Sequence, residues 1–410
     1  MDLRKAEKRI ENELPAGGRE IVSRLERAGF CAFFVGGCVR DALLGLSPAD
    51  WDVASAARPE EVRSLFSDLP ILSTGLRHGT LTLLSDRPYE ITTFRTEGAY
   101  SDGRRPDRVA FSRSPEEDLS RRDFTVNALA WSPERGIVDL FGGVADLEGR
   151  VLRCVGDPGK RFSEDSLRIL RGLRFYAVYG LAPEAATAAA MHALASGLDR
   201  LSAERKAKEF SLAVAGRFAG EAFAAFPDLL IALFPALAGR LPDLTLLSRL
   251  DPSPEERTAF LFFLAGEEVL AASLDDLRFS RRFSARASLL FRAARSVPPS
   301  DRLGMRRFLA VLSPGDAEAA FRIRLAALPA EAAETDRAIA LLASLRAGND
   351  LPPRREELAV DGSALLSRGL VREGPEVGRA LDLLYRAVVD GKAENGEKAL
   401  LAYYERRREL

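Results

Sequence analysis

Residues 34–54 read Phe34-Val-Gly-Gly-Cys-Val-Arg-Asp-Ala-Leu-Leu-Gly-Leu-Ser-Pro-Ala-Asp-Trp-Asp-Val-Ala54. The apolar run from Cys31 to Val35 predicts a buried strand ending on Gly36-Gly37. A short amphipathic helix is expected over Val39 to Leu44, closed by Gly45 as its C-terminal cap. Pro48 interrupts the chain, and Asp50-Trp51-Asp52-Val53 reads as a second strand. Side chains two apart on a strand share a face, so Asp50 and Asp52 can aim both carboxylates at one point. Paired like charges repel unless a cation lies between them, and hard oxygen ligands suit Mg²⁺. Gly36-Gly37, opening a helix, can offer backbone N–H groups to an anion, and the helix dipole favours negative charge there. Alone, the glycines are a turn and the aspartates a solvated strand end. Together they suggest chemistry on a nucleoside triphosphate.

The rest of the composition narrows the setting. At 410 residues the chain is long enough for several domains with ample core. A formal net charge of −1 gives no global attraction to nucleic acid, so any such binding must come from local basic surface. Cys31, Cys38 and Cys154 are too few and too scattered for a disulfide framework or a zinc site, and a reducing cytoplasm fits them. The charged start, Met-Asp-Leu-Arg-Lys-Ala-Glu-Lys, lacks the apolar centre of a signal peptide. The apolar stretch Leu229–Gly239 contains Pro235 and is far short of the roughly 20 residues a bilayer demands. With only His78 and His192, a His-rich metal site is excluded.

Outward from the opening stretch, the first 155 residues mix strands and helices. A helix is expected over Gly18–Ala28, another over Pro59–Leu65, and strands over Thr80–Leu84 and Tyr89–Arg95 with Asp86-Arg87-Pro88 as their turn. Thr96 to Val109 is polar and rich in turn residues, as a mobile loop would be. From about Gly156 onward, Leu, Ala, Arg and Glu at helical spacing dominate, with breaks near Pro183, Pro227, Pro252, Pro298, Pro314 and Pro352. An all-α remainder follows from this, divided into a neck (156–225), a body (226–345) and a tail (346–410) behind a head (1–155).

Two further stretches carry chemistry. Arg121-Arg122-Asp123-Phe124-Thr125-Val126-Asn127-Ala128-Leu129 reads as a helix with Asp123 and Asn127 on one face, as are Arg121 and Thr125, while Phe124 and Leu129 turn to the core. Such a row suits ribose hydroxyls and triphosphate oxygens. Ser163 to Arg171 is expected to begin another helix with Asp165 and Arg168 as neighbours. Cytosine and adenine both present an exocyclic amino donor next to a ring-nitrogen acceptor. A carboxylate can accept from the first while a guanidinium donates to the second. Uracil and guanine place a carbonyl where the amino group should be, so one Asp–Arg pair could select C and A without a template.

Taken together, the Gly-Gly/Asp-x-Asp stretch, Glu90-Ile-Thr-Thr-Phe-Arg95, Arg121-Arg122-Asp123-Phe124-Thr125-Val126-Asn127-Ala128 and Glu164-Asp165-x-x-Arg168 resemble the class II tRNA nucleotidyltransferase (CCA-adding enzyme) and bacterial poly(A) polymerase family. The likeness is specific over 34–54, 90–128 and 164–175 and weak through 226–345. It implies an α+β, polymerase-beta-like nucleotidyltransferase head with a mixed sheet, followed by all-α neck, body and tail. It implies Glu90 as a third carboxylate beside Asp50 and Asp52. It implies phosphate contacts from Gly36, Gly37 and Arg40, sugar contacts from Asp123 and Asn127, and base contacts from Asp165 and Arg168. Arg122 and Arg171 join the nucleotide-binding set. Ile137 to Gly143 resembles the connecting motif. Leu201 to Glu209, with Ser202 as its N-cap, resembles the last neck motif, where Glu204, Arg205 and Glu209 would brace the base-reading helix. Gly374-Pro-Glu-Val-Gly378 and Val389-Asp-Gly-Lys392 resemble tail turns that contact folded tRNA, with Arg372, Arg379 and Arg386 as candidate phosphate contacts.

One departure is Ser55, where many relatives have Thr. The implied activity is addition of C and A to the tRNA 3′ end from CTP and ATP with Mg²⁺, without DNA or membrane partners. An A-adding enzyme, a poly(A) polymerase and a catalytically inactive RNA-binding relative are the alternatives.

Overall fold

The computed structural model describes residues 3–73, 75–76, 79–98 and 109–408. The chain divides into two compact units, Met1–Ala238 and Gly239–Leu410.

The first unit is built on β1 (Ala32–Val35), whose four residues are all buried. Around it lie β2 (Val53–Ser55), β3 (Ile71–Leu72), β4 (Thr80–Leu84) and β5 (Pro88–Thr93). A ribbon of β6 (Arg95–Glu97) and β7 (Val109–Phe111) follows, then β8 (Leu129–Ser132) and β9 (Gly136–Asp139). The main sheet has the order β3-β4-β5-β2-β1-β8-β9. Only β2 and β5 run parallel; the other pairs are antiparallel.

Side chains alternate across this sheet as the strand period requires. Phe34 packs edge-on to Trp51, with ring centroids 5.4 Å apart, and stacks on Trp131 at 6.1 Å. Phe33, Val35, Ala54, Phe94, Leu119 and Ala130 form the cluster on the opposite face. The helix Ala16–Arg27 covers the Phe34 face: a Cβ on Gly18 would stand 2.9 Å from the Tyr89 ring and 3.3 Å from Phe34. The mixed-sheet head expected from the sequence is present.

Expected and observed elements agree at Pro59–Leu65 and Thr80–Leu84. The helix after Gly36 covers Gly37–Leu43, earlier than the Val39 start expected. The stretch Thr96–Val109 is not wholly loop. Its ends belong to the β6–β7 ribbon, because Arg95, Thr96 and Glu97 pair with Phe111, Ala110 and Val109. Residues 99–108 lie outside those described.

The rest of the first unit is helical: Pro158–Glu164, Leu167–Tyr179, Ala185–Ala193, Ala203–Val214, Ala219–Ala225 and Pro227–Leu233. A small exception to the all-α expectation is β11 (Ala182–Pro183), which pairs in parallel with β10 (Val151–Leu152). Phe124 joins head to neck, with its ring 5.6 Å from Phe175 and 6.5 Å from Phe162. Phe210 packs on Phe223 and Phe234 further along.

The second unit is helical throughout its described residues, from Pro254–Leu261 to Glu397–Arg408. Among these residues, five α-helices start on side-chain caps, at Ser253, Ser280, Asp301, Ser313 and Asp361. One core gathers Met305, Phe321, Ala338 and Leu342; another gathers Leu365, Leu384, Val388 and Leu400. Arg306 links them by donating to the carbonyls of Val388 and Val389 at 2.8 Å and to Asp350 at 2.7 Å. Among the described residues, no helix is long and apolar enough to cross a membrane.

Candidate active site

The site begins where β1 ends. Gly36 has φ +74°, a left-handed conformation that glycine adopts without steric cost, and it turns the chain into the helix Gly37–Leu43. A Cβ on Gly36 would also sit 2.9 Å from Arg122 Nη1. Gly36 N–H donates to the Leu129 carbonyl at 2.9 Å, and Val35 N–H donates to the Asp52 carbonyl at 3.0 Å. The glycine turn and Asp52 are thereby fixed side by side.

Asp50 and Asp52 do not lie in the strand ladder, which begins only at Val53. The reason is that β1 turns away at Gly36: Asp52 keeps one backbone bond, from Val35 N–H, and the residues before it have no strand to pair with on that side. Their alternation survives nonetheless: Trp51 and Val53 are buried while Asp50 and Asp52 are exposed. Register places the third carboxylate. Val53 pairs with Ile91, so Glu90 projects from the same sheet face as Asp52. Asp52 is open on the cleft side, but the protein packed around its carboxyl strips part of its hydration and pushes it up to about 6; the Glu90 charge adds to this, Arg122 partly offsets it, and Asp50 raises it further. Three carboxylates that repel in this way form a donor set that a divalent cation would relieve. Among the described residues, no three carboxylate, histidine or cysteine groups close into a metal site by themselves. Hard cations that act on nucleotides are bound by one or two carboxylates plus substrate phosphates, so a partial protein site fits.

A cleft of about 510 Å³ opens beside these groups, lined by Val35, Gly36, Gly37 and Asp52 from the sheet end and by Asp165, Leu167 and Phe175 from the neck. Six arginines line it, Arg40, Arg121, Arg122, Arg168, Arg171 and Arg174, against Asp52, Asp123 and Asp165. That excess of positive charge matches a triphosphate.

The stretch Arg121–Leu129 is not an α-helix. Phe124 is extended and bridges Cys154, with Val155 N–H on the Asp123 carbonyl at 3.1 Å and Thr125 N–H on the Arg153 carbonyl at 2.9 Å. These tertiary backbone bonds override the helical spacing, and only Thr125–Asn127 forms a 3₁₀ turn. Arg121 and Thr125 consequently go to different partners, Asp118 and Asp146. Asp123 and Asn127 still meet, Asn127 Nδ2 donating to Asp123 Oδ1 at 2.9 Å. Arg171 Nε donates to Asp123 Oδ2 at 2.6 Å, and Arg40 Nη1 to Asn127 Oδ1 at 2.6 Å. Arg40 is itself buried over Phe175 and Tyr179 and bonded to Asp41. It therefore holds Asn127 in place.

Burial alone would raise the Asp123 carboxyl, but Arg171 and the Asn127 and Phe124 donors hold it at about 2. A carboxyl held below its ordinary range stabilises the fold above that range and loses the contribution as pH falls. Acid titration of the folded state should therefore show stability falling between about pH 4 and pH 2. In Asp123→Asn that component should be missing from the pH dependence of the urea midpoint.

The second helix expected around residues 163–171 is in fact two. Pro158–Glu164 ends at Asp165, which is extended at φ −145°, and Leu167–Tyr179 starts after it. Asp165 and Arg168 do not pair with each other. Asp165 Oδ1 accepts from Leu167 N–H at 3.0 Å and Oδ2 from Arg205 Nη2 at 3.0 Å. Arg168 Nη1 donates to Glu164 at 2.6 Å, and Nη2 to the Arg121 carbonyl at 3.3 Å. Both line the cleft as independently fixed groups. The bracing role expected of Arg205 and Glu209 has a geometric basis, since Glu209 pairs with Arg174 at 3.3 Å. Arg121 and Arg174 also line the cleft, and Asp118 bonds Arg121 and Arg122 from behind; the sequence pattern singles out neither Arg174 nor Asp118. Asp118 stands three and four residues before Arg121 and Arg122, a spacing that could have drawn attention to it.

Residues 32–153 match the poly A polymerase head domain family. The CCA-adding enzyme of Limosilactobacillus fermentum is 37% identical over 387 residues, 93% of this chain and 94% of that one. The chain belongs to the CCA-adding enzyme family. The CCA-adding enzyme of Streptococcus suis is 35% identical over 96% of this chain and 97% of its own. A crystal structure of the Bacillus stearothermophilus CCA-adding enzyme in complex with CTP superposes with a TM-score of 0.75 at 32% identity, covering 95% of this chain and 96% of that one. CCA-adding enzymes are nucleotidyltransferases and generally need a divalent metal.

Of the residues expected in the site, Gly36, Gly37, Arg40, Asp52, Arg122, Asp123, Asn127, Asp165, Arg168 and Arg171 all line the one cleft. Asp50 and Glu90 lie beside it, on the shared face with Asp52. Arg372 and Arg379 belong to the second unit and are exposed, Arg379 lining a separate cleft with Arg386, Lys392 and Arg407.

Proposed function

We propose that this chain adds CCA to the 3′ end of tRNA, without a template, from CTP and ATP. The observation that carries the reading is the convergence of the Asp52 carboxylate, the Gly36-Gly37 turn and the Asp165 carboxylate on one arginine-lined cleft. Asp50 and Asp52 would hold Mg²⁺, with Glu90 supporting them. Such ions lower the pKa of the RNA 3′-hydroxyl and steady the departing pyrophosphate.

The protein's own groups then divide the remaining work. Gly36 and Gly37 offer backbone N–H groups to phosphate oxygens, and Arg122 adds its charge beside them. Asp123, held ionised by Arg171, accepts from a ribose hydroxyl, and Asn127 is aimed by Arg40. Asp165, with one lone pair on each oxygen already engaged, accepts from the exocyclic amino group of C or A, while Arg168 donates to the ring nitrogen. In this reading the head spans 1–155, the neck 156–225, the body 226–345 and the tail 346–410. Arg372 and Arg379 contact tRNA phosphates, and the protein works in the cytoplasm.

The test is incorporation of labelled CTP and ATP, with Mg²⁺, into a tRNA transcript lacking its CCA end. Two cytidines, then one adenosine, then a stop is the expected product. ATP uptake onto a transcript ending in CC without any CTP uptake would instead identify an A-adding enzyme, and long adenosine runs on generic RNA a poly(A) polymerase.

A further inference from the structure

Two consecutive arginines at the mouth of the cleft share one buried anion. Asp118 has 1% of its side chain exposed. Its Oδ1 accepts from Arg121 Nε at 2.9 Å and Nη2 at 2.7 Å, and its Oδ2 accepts from Arg122 Nη2 at 3.1 Å. Ser114 caps the short helix Pro115–Ser120 that carries Asp118, and Leu119 beside it is seated in the sheet's core cluster. The carboxylate is therefore fixed to the head rather than to the neck. Adjacent guanidiniums repel, and without a shared partner each would turn to water.

The position that results is specific. Arg122 Nη1 lies 2.9 Å from where a Cβ on Gly36 would stand, against the glycine turn. Arg122 lines the same cleft as Gly36, Gly37 and Asp52. Its Nε is buried and has no hydrogen-bond partner among the described residues. A guanidinium tethered to Asp118 through Nη2, and lining the cleft with the rest of its fork, is arranged to receive a further acceptor there.

We propose that Asp118 is a positioning residue for the triphosphate: it anchors Arg121 and Arg122 so that Arg122 meets phosphate oxygens held at Gly36-Gly37. This rests on the nucleotidyl-transfer reading of the cleft and adds a residue to it. Asp118 touches no substrate and acts through Arg122. The base is read elsewhere, at Asp165 and Arg168. Disturbing Asp118 therefore weakens CTP and ATP alike and leaves their ratio unchanged.

The experiment compares equilibrium binding of CTP and CMP to the full chain in Asp118→Asn, Asp118→Glu and Arg122→Gln. CTP and CMP share base and sugar and differ in phosphates. Loss of one charge-assisted hydrogen bond corresponds to about tenfold in affinity. Both Asp118 variants should lose about that factor for CTP while CMP changes by less than about twofold. Asp118→Asn placed in the Arg122→Gln background should bring little further loss, because the route through Arg122 is already cut. Asp118→Glu keeps the charge pair and displaces it by a methylene, so it tests aim even where Asp118→Asn fails to fold. The proposal is overturned by an unchanged CTP-over-CMP margin in Asp118→Glu, by equal weakening of CTP and CMP, or by additive losses in the double variant. Since binding is read without turnover, a wild-type chain that favours CTP over CMP yet extends no tRNA would count against the functional reading alone.

Discussion

Asp52→Asn is expected to abolish nucleotide addition, lowering the single-turnover rate by about 10³-fold or more, because several kcal/mol of charge stabilisation at the reacting phosphate depend on it. Asparagine matches the shape of aspartate and keeps the backbone bond that Val35 N–H donates to residue 52. The loss is therefore one of charge. The carboxyl it replaces is already pushed up to about 6 by partial loss of hydration, by Glu90 and by Asp50. Removing a repelled charge should leave the thermal midpoint of the metal-free protein no lower than that of wild type. Near-normal extension by Asp52→Asn would remove Asp52 from the metal-binding role. A collapsed midpoint would instead make it a structural residue.

The second large effect is on base choice. Asp165→Asn replaces an acceptor-only group with one that also donates, so a carbonyl at the position of the amino group becomes acceptable. Sites that hydrogen-bond a substrate group reject analogues lacking it by large factors, roughly 10⁴ or more. The ratio of kcat/KM for CTP over UTP should therefore fall by at least about 10²-fold in Asp165→Asn, through gain of UTP as well as loss of CTP. The amide oxygen can still accept from Arg205, while the amide nitrogen facing Leu167 N–H gives up that one bond, a cost of about 1 kcal/mol that should appear only as a small drop in the thermal midpoint. A variant that lost both nucleotides equally, with the CTP-over-UTP ratio intact, would show that Asp165 supports the neck without reading the base.

Local sequence pattern predicted the structure where chemistry and spacing coincide. The strand before Gly36, the glycine turn and the exposed pair Asp50 and Asp52 flanking buried Trp51 all follow from short-range pattern. It failed where the chain is shaped by distant backbone. Arg121–Leu129 has helical spacing, yet residues 123–125 bond to residues 153–155 and stay extended. Asp165 and Arg168 have the spacing of an intrahelical pair, yet Asp165 breaks the helix and is claimed by Arg205, 40 residues on.

By itself, then, the sequence determined which groups are available: the carboxylates Asp50, Asp52 and Glu90, the Gly36-Gly37 turn, and the Asp165 and Arg168 side chains whose acceptor and donor complement the edge shared by C and A. Those properties belong to individual residues and their immediate neighbours. Only the tertiary structure decided how the groups are aimed. It brings Glu90 to the face of Asp52 through the parallel register of β2 with β5, suspends Asn127 between Arg40 and Asp123, and sets Arg122 against Gly36 through buried Asp118. Each of those arrangements depends on a partner remote in the chain or on burial. A carboxylate that spacing would give to a local ion pair goes instead to whichever donor the packed chain brings within hydrogen-bonding distance.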